Sequence, residues 1–170
     1  MNVYLSQFCI DTPEESAREF LYFPYSVGVI WSYALTKPKI RQNMQLKEFL
    51  IKKGNIQDVT EGLDNPAIFG FNSVVWNHEY NLKLAKSIKE RYPDCVIIFG
   101  GASVKYQDEH FLKQYPFIDY AIYREGEIAF SNLLLHKLGE DLDNSGIGYL
   151  QDGKLITAPA TRMADIDDIP

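Results

Sequence analysis

The residues with the most to offer chemically stand at the ends of this chain's apolar runs. Gly100, Gly101, Ala102 and Ser103 follow the run Cys95-Val96-Ile97-Ile98-Phe99. Two glycines without Cβ atoms permit φ > 0 and let a ligand come close to the backbone. Ser73, Val74, Val75, Trp76 and Asn77 close an earlier run that begins at Ala67, and supply a hydroxyl, an indole and an amide. Gln7 and Phe8 close the first run; Arg124, Glu125, Gly126 and Glu127 close a later one. This is a binding set rather than a reacting one. No activated nucleophile accompanies Glu125 or Glu127, so no catalytic residue is assigned, and Glu127 near a helix start also suits the helix dipole. Cys9 and Cys95 are far apart and belong to no CxxC or Cys/His cluster, which leaves no protein metal site. His78 reads as a solvated residue opening a helix, and His110 and His136 have no partner at ligand spacing.

Strands alternating with helices must position these residues. Residues 3–9 read as a first strand, ended by Asp11-Thr12-Pro13. Residues 24–34 read as a helix, with Pro24 in its first turn and a stop before Pro38. Residues 45–51 fit a strand or a short helix; the βα rhythm elsewhere favours strand. A short helix over 55–63 follows, then a third strand from Ala67 with its exit loop reaching Trp76. In that run the polar pair Asn72-Ser73 must find partners. Leu82, Ala85 and Ile88 mark an amphipathic helix within 80–91. The run before Gly100, five apolar residues rich in β-branched side chains, reads as a strand buried on both faces. A helix over 110–115, a fifth strand over 118–123 and a helix over 127–138 complete the alternation. The tail differs: 147–150 and 155–157 flank Asp152-Gly153, a hairpin signal. The expectation is α/β, a parallel five-stranded sheet with helices on both faces plus a C-terminal β-hairpin. The domain spans 1–158, and the acidic, proline-bounded stretch 159–170 reads as a linker. In such sheets ligands sit at the carboxyl edge where strand order reverses, and all four exit segments fall there.

Composition sets limits. The chain has 170 residues, 46% of them hydrophobic and 24% charged, with net charge −6, which fits one soluble domain. That charge argues against a sequence-independent nucleic-acid footprint, despite a mild basic cluster at Lys37, Lys39 and Arg41. The sequence shows no basic-then-apolar leader and no stretch of transmembrane length, so no membrane is expected and the location expected is cytoplasmic. Neither GxGxxG nor GxxxxGK[ST] occurs, which ranks a nucleotide- or flavin-binding enzyme third.

Ser73-x-Val75 followed by Gly100-Gly101 resembles the second half of the signature of cobalamin-binding Rossmann-like domains, where a hydroxyl and paired glycines make room for the corrinoid's nucleotide tail. Residues 71–77 (FNSVVWN), 93–101 (PDCVIIFGG), 118–127 (IDYAIYREGE) and the Asp152-Gly153 hairpin together resemble the N-terminal cobalamin (B12)-binding domain of B12-type radical S-adenosylmethionine enzymes. Residues 165–170 (DIDDIP) are similar to the linker that precedes the radical domain there.

The resemblance implies a Rossmann-like or flavodoxin-like domain binding cobalamin through the exit residues named above. Related methionine-synthase-like domains carry Asp-x-His-x-x-Gly after the first strand. Here residues 8–13 hold no histidine, so cobalamin would bind without a protein histidine on cobalt. The CxxxCxxC motif of a [4Fe–4S] cluster is also absent. S-adenosylmethionine and the cluster would then belong to a radical domain supplied in cis or in trans, with methyl transfer the chemistry most often implied. The alternative is a degenerate cobalamin-type fold serving as a non-binding docking or interaction domain.

Overall fold

The computed structural model describes residues 1–10, 23–105, 109–165, 167 and 169. The Asp11-Thr12-Pro13 strand stop and parts of the 159–170 linker lie outside them. Five strands run parallel: β1 (Asn2–Ser6), β2 (Gln45–Leu50), β3 (Pro66–Asn72), β4 (Val96–Gly100) and β5 (Tyr120–Ile122), in the order β2-β1-β3-β4-β5. That order is the flavodoxin-type doubly wound arrangement, with its reversal between β1 and β3. The hairpin β6 (Ile147–Gln151) and β7 (Lys154–Thr157) joins the same sheet, so one seven-stranded, mostly parallel sheet replaces the expected five strands with an added hairpin. The reason lies in β5, which is only three residues long. Without β6 against it, Ala121 and Ile122 would form an open apolar edge.

Both faces of the sheet are covered, which is why its central strands read as nearly unbroken apolar runs. Successive side chains of a strand go to opposite faces. Val3, Leu5, Ile68, Ile98 and Ile122 pack under α1 (Tyr25–Leu35), α2 (Pro38–Asn43) and α6 (Glu127–Lys137). Tyr4, Phe69, Phe71, Ile97 and Phe99 pack under α3 (Ile56–Glu61), α4 (His78–Arg91) and α5 (Glu109–Gln114). Helix α2 is absent from the sequence reading, which takes Pro38 as a stop. Proline suits the first position of a helix as well, and Pro38 opens a new one after Lys37. The ambiguous segment 45–50 is strand β2, an edge strand whose exposed Lys47 bonds Asp64 at 2.9 Å.

One half-buried ion pair ties three elements below the site. Lys89 Nζ donates to the Cys95 carbonyl at 2.8 Å and to both Asp119 carboxylate oxygens at 3.0 and 2.8 Å. The Ile97 N–H donates to Asp119 Oδ2 at 2.7 Å. Asp119→Ala orphans that N–H and removes the ammonium's counter-charge, leaving it the Cys95 carbonyl. It is expected to cost about 1–3 kcal/mol, read as a lower urea midpoint with unchanged slope. Cys95 beside this pair is buried, and burial pushes its thiol up to about 12. A maleimide at pH 8 is therefore expected to label Cys95 only after unfolding, and modification of the native chain at Cys95, as distinct from half-buried Cys9, would contradict its burial.

Candidate functional site

The parallel strands end in step, with Ser6 beside Phe71 and Asn72 beside Gly100. The exits beyond are stitched together by backbone. The Ser73 N–H donates to the Gly100 carbonyl at 2.6 Å, and the Ser103 N–H donates to the Ser73 carbonyl at 3.0 Å. Gly101 sits inside this stitch at φ +104°, and a Cβ there would lie 2.6 Å from the Ser73 carbonyl oxygen. Asn77, almost wholly buried, joins the exits of β1 and β3. Its Nδ2 donates to the Phe8 and Asn72 carbonyls at 3.2 and 3.1 Å, while its Oδ1 accepts from the Val74 N–H at 2.9 Å. These bonds make the edge a rigid platform.

On the α1/α6 side of that platform lies a cavity of about 320 Å³. Its floor is the sheet between Leu5, Gly70, Ile98, Gly100 and Ile122; its roof is the start of α1, from Tyr25 to Ile30, and the start of α6, from Gly126 to Phe130. Glycine opens the space at Gly100, whereas the room left by Gly70 is taken up by the Leu5 side chain, 2.6 Å from where a Cβ would stand. Gly70 and Gly100 face this side, where the alternation of a strand would otherwise set two side chains. A Cβ on Gly100 would meet nothing closer than 3.8 Å, so that position is open toward the cavity rather than filled by the protein. The lining is apolar with few polar groups: Ser26, Asn72, Arg124, Glu125 and Glu127. Glu127 Oε2 is buried without a hydrogen-bond partner.

Outside the cavity the same edge is apolar and exposed. Of the six large exposed apolar side chains among the described residues, five (Ile10, Phe23, Tyr25, Val75 and Trp76) belong to the β1 exit, the entry to α1 or the β3 exit. Val75 is 83% exposed and Trp76 46%. The indole is held in place, since Trp76 Nε1–H donates to the Phe8 carbonyl at 3.2 Å. Trp76 is therefore not core, and a planar apolar surface fixed at a strand exit suits stacking on a flat ring system.

The expected site residues divide accordingly. Gly100, Gly101, Arg124, Glu125, Gly126 and Glu127 line the cavity; Val75 and Trp76 lie outside its lining, exposed at the β3 exit on the same sheet edge. Gln7 accepts from the Val27 N–H at 3.3 Å and so ties β1 to α1. Phe8 contributes its carbonyl, because its ring is buried edge-on against Tyr80. Val74 is held by Asn77, and Ala102 and Ser103 carry the turn after β4. The Ser73 hydroxyl is turned away from the cavity lining and bonds His78 Nδ1 at 2.8 Å. His78 is thus half-buried and engaged, not a solvated surface residue. The α1 wall, Gly70 and Phe130 were missed. One signal was available: α1 carries no charged residue in its eleven positions, and a helix apolar on every side needs more cover than a sheet alone gives.

Residues 55–134 match the family model of the B12 binding domain. The chain is 27% identical over 157 residues to the cobalamin-dependent radical SAM methyltransferase TokK of Streptomyces tokunonensis, covering 90% of this chain and 23% of that protein. It is 27% identical over 122 residues to 2-(S-pantetheinyl)-carbapenam-3-carboxylate methyltransferase of Streptantibioticus cattleyicolor, covering 72% and 18%. It is 28% identical over 103 residues to the anaerobic magnesium-protoporphyrin IX monomethyl ester cyclase of a Synechocystis species, covering 59% and 21%. The resemblance read from the sequence is borne out, and the chain spans less than a quarter of the length of each of these relatives.

Proposed function

Because this chain carries a B12 binding domain similar to those of cobalamin-dependent radical SAM enzymes, we propose that it holds cobalamin with the nucleotide tail in the glycine-floored cavity. The observation that carries this reading is that cavity, opening beside an exposed apolar edge at the carboxyl end of a doubly wound sheet. The residues fit the group. A planar aromatic base needs an apolar slot free of Cβ atoms, and Gly100 provides one, beside Gly70 whose Cα face is covered by the Leu5 side chain. A corrin needs a broad apolar seat, and Val75 and Trp76 are exposed where it would rest.

Bound cobalamin supplies a cobalt centre for group transfer. The chain's own residues position it. Gly101 and Asn77 lock the platform, α1 and α6 close over the tail, and Trp76 stacks on the ring system. The radical chemistry, with S-adenosylmethionine and a [4Fe–4S] cluster, falls to a radical domain joined in cis or in trans, toward which 159–170 serves as the linker. Methyl transfer in the cytoplasm, without nucleic acid or membrane, is the setting this reading implies. Among the described residues no helix is long and apolar enough to cross a membrane. The test of binding is equilibrium dialysis against hydroxocobalamin, with one cofactor per chain expected; no retention by a folded chain would favour the docking-domain alternative.

The same reading places no protein histidine on cobalt. Residues 1–77 contain none, and His78 Nδ1 is engaged by Ser73. The electron paramagnetic resonance spectrum of bound cob(II)alamin is expected to lack the three-line nitrogen splitting of an axial imidazole or benzimidazole. Triplet splitting of the cobalt lines would contradict this.

A further inference from the structure

Two clefts meet at Arg124. One is the glycine-floored cavity; the other, of about 380 Å³, lies between the exits of β5 and β7. Arg124, Arg162, Tyr123, Thr157 and residues 158–160 line this second cleft. Its floor is fixed. The Tyr123 hydroxyl bonds the Ala158 carbonyl and, at 3.0 Å, Thr157 Oγ1, and the Tyr123 N–H donates to the Gly146 carbonyl at 3.2 Å. The lining carries two guanidiniums and no carboxylate, in a chain of net charge −6. Neither arginine has an ion-pair partner among the described residues. In an acidic protein, two unpaired arginines facing one polar cleft select an anion, and the planar fork of arginine suits phosphate oxygens.

We propose that Arg124 and Arg162 form a phosphate-ester site adjoining the cavity. The site itself stands on this geometry alone. The identity of its occupant rests on the cobalamin reading, because the nucleotide tail carries a phosphodiester between its base-bearing ribose and the corrin side chain. With the base in the cavity, Arg124 on the shared wall is the first cation the phosphodiester meets. A separate phosphorylated molecule offers the same chemistry.

The test compares hydroxocobalamin with cobinamide, which lacks the nucleotide and its phosphate, on the 170-residue chain and on Arg124→Gln, Arg162→Gln and the double variant. Melting curves with millimolar pyrophosphate run in parallel. If the phosphodiester is the occupant, the double variant binds cobalamin about tenfold more weakly, the loss shrinks at high salt, and cobinamide binding is unchanged. If a separate phosphorylated molecule is the occupant, cobalamin affinity is unchanged while pyrophosphate raises the melting temperature of the parent chain and not of the double variant. Unchanged cobalamin affinity together with no arginine-dependent effect of pyrophosphate overturns the site. A parent chain that ignores cobalamin defeats the cofactor reading by itself, and the pyrophosphate arm then decides this one.

Discussion

Gly100→Val is expected to weaken cobalamin binding at least about a hundredfold while leaving the melting temperature of the free chain close to that of the parent. The two effects separate because of what surrounds this glycine. A Cβ at Gly100 finds only ordinary contact with Ile122 at 3.8 Å, and β-branched residues suit strands. The added methyl groups then occupy the cavity floor, between Ile98 and the roof formed by α1 and α6. A ligand group that must lie flat on this floor meets side chain instead of backbone, and the loss appears in affinity alone. Parallel titration and melting of both chains check it. A variant that binds as the parent does would place the cofactor elsewhere.

Gly101→Val, one residue later, is expected to do the opposite and lower stability by about 3 kcal/mol or more. Gly101 has φ +104°, a conformation that L side chains rarely adopt, and its Cβ would lie 2.6 Å from the Ser73 carbonyl oxygen and 3.0 Å from the Ser73 nitrogen. Both are backbone atoms, and both are held in the stitch between the β3 and β4 exits. Backbone strain and overpacking contribute about 1–3 kcal/mol each and here act together. For a domain of this size, that corresponds to a fall in melting temperature of roughly 6–12 °C. A melting curve matching the parent would show that the stitch is not rigid.

These neighbours show where the sequence was legible. The paired glycines, the strand before them and the alternation of strands and helices stand out, because a sheet buried on both faces demands continuous apolar runs. The division of labour within the pair does not. Which glycine faces a cavity and which is pinned against backbone depends on Ser73, Ile122 and the turn geometry, none of them a sequence neighbour. Ser73 was legible as a buried hydroxyl needing a partner, yet the partner, His78, lies on the first turn of α4 and takes that hydroxyl away from the cavity. The cavity roof was hidden for the same reason. It joins Tyr25 to Ile30 with Gly126 to Phe130, segments about a hundred positions apart that meet only once the sheet has wound in both directions. Pro38 was misjudged on local grounds, and the place of the hairpin in the sheet was not legible. Proline ends one helix and opens another equally well, and a hairpin signal says nothing about which edge the hairpin will cover.

Whether the cavity over Gly100 takes the cofactor's nucleotide tail is decided by a paired titration of the chain with cobalamin and with cobinamide. Visible absorbance and melting temperature would be followed together. Saturable binding of cobalamin is expected, with stabilisation of about 2.7 kcal/mol at a hundredfold excess over Kd, much weaker binding of cobinamide, and loss of that difference in Gly100→Val. Equal binding of the two corrinoids, or a cobalamin affinity that Gly100→Val leaves intact, would contradict that placement of the tail.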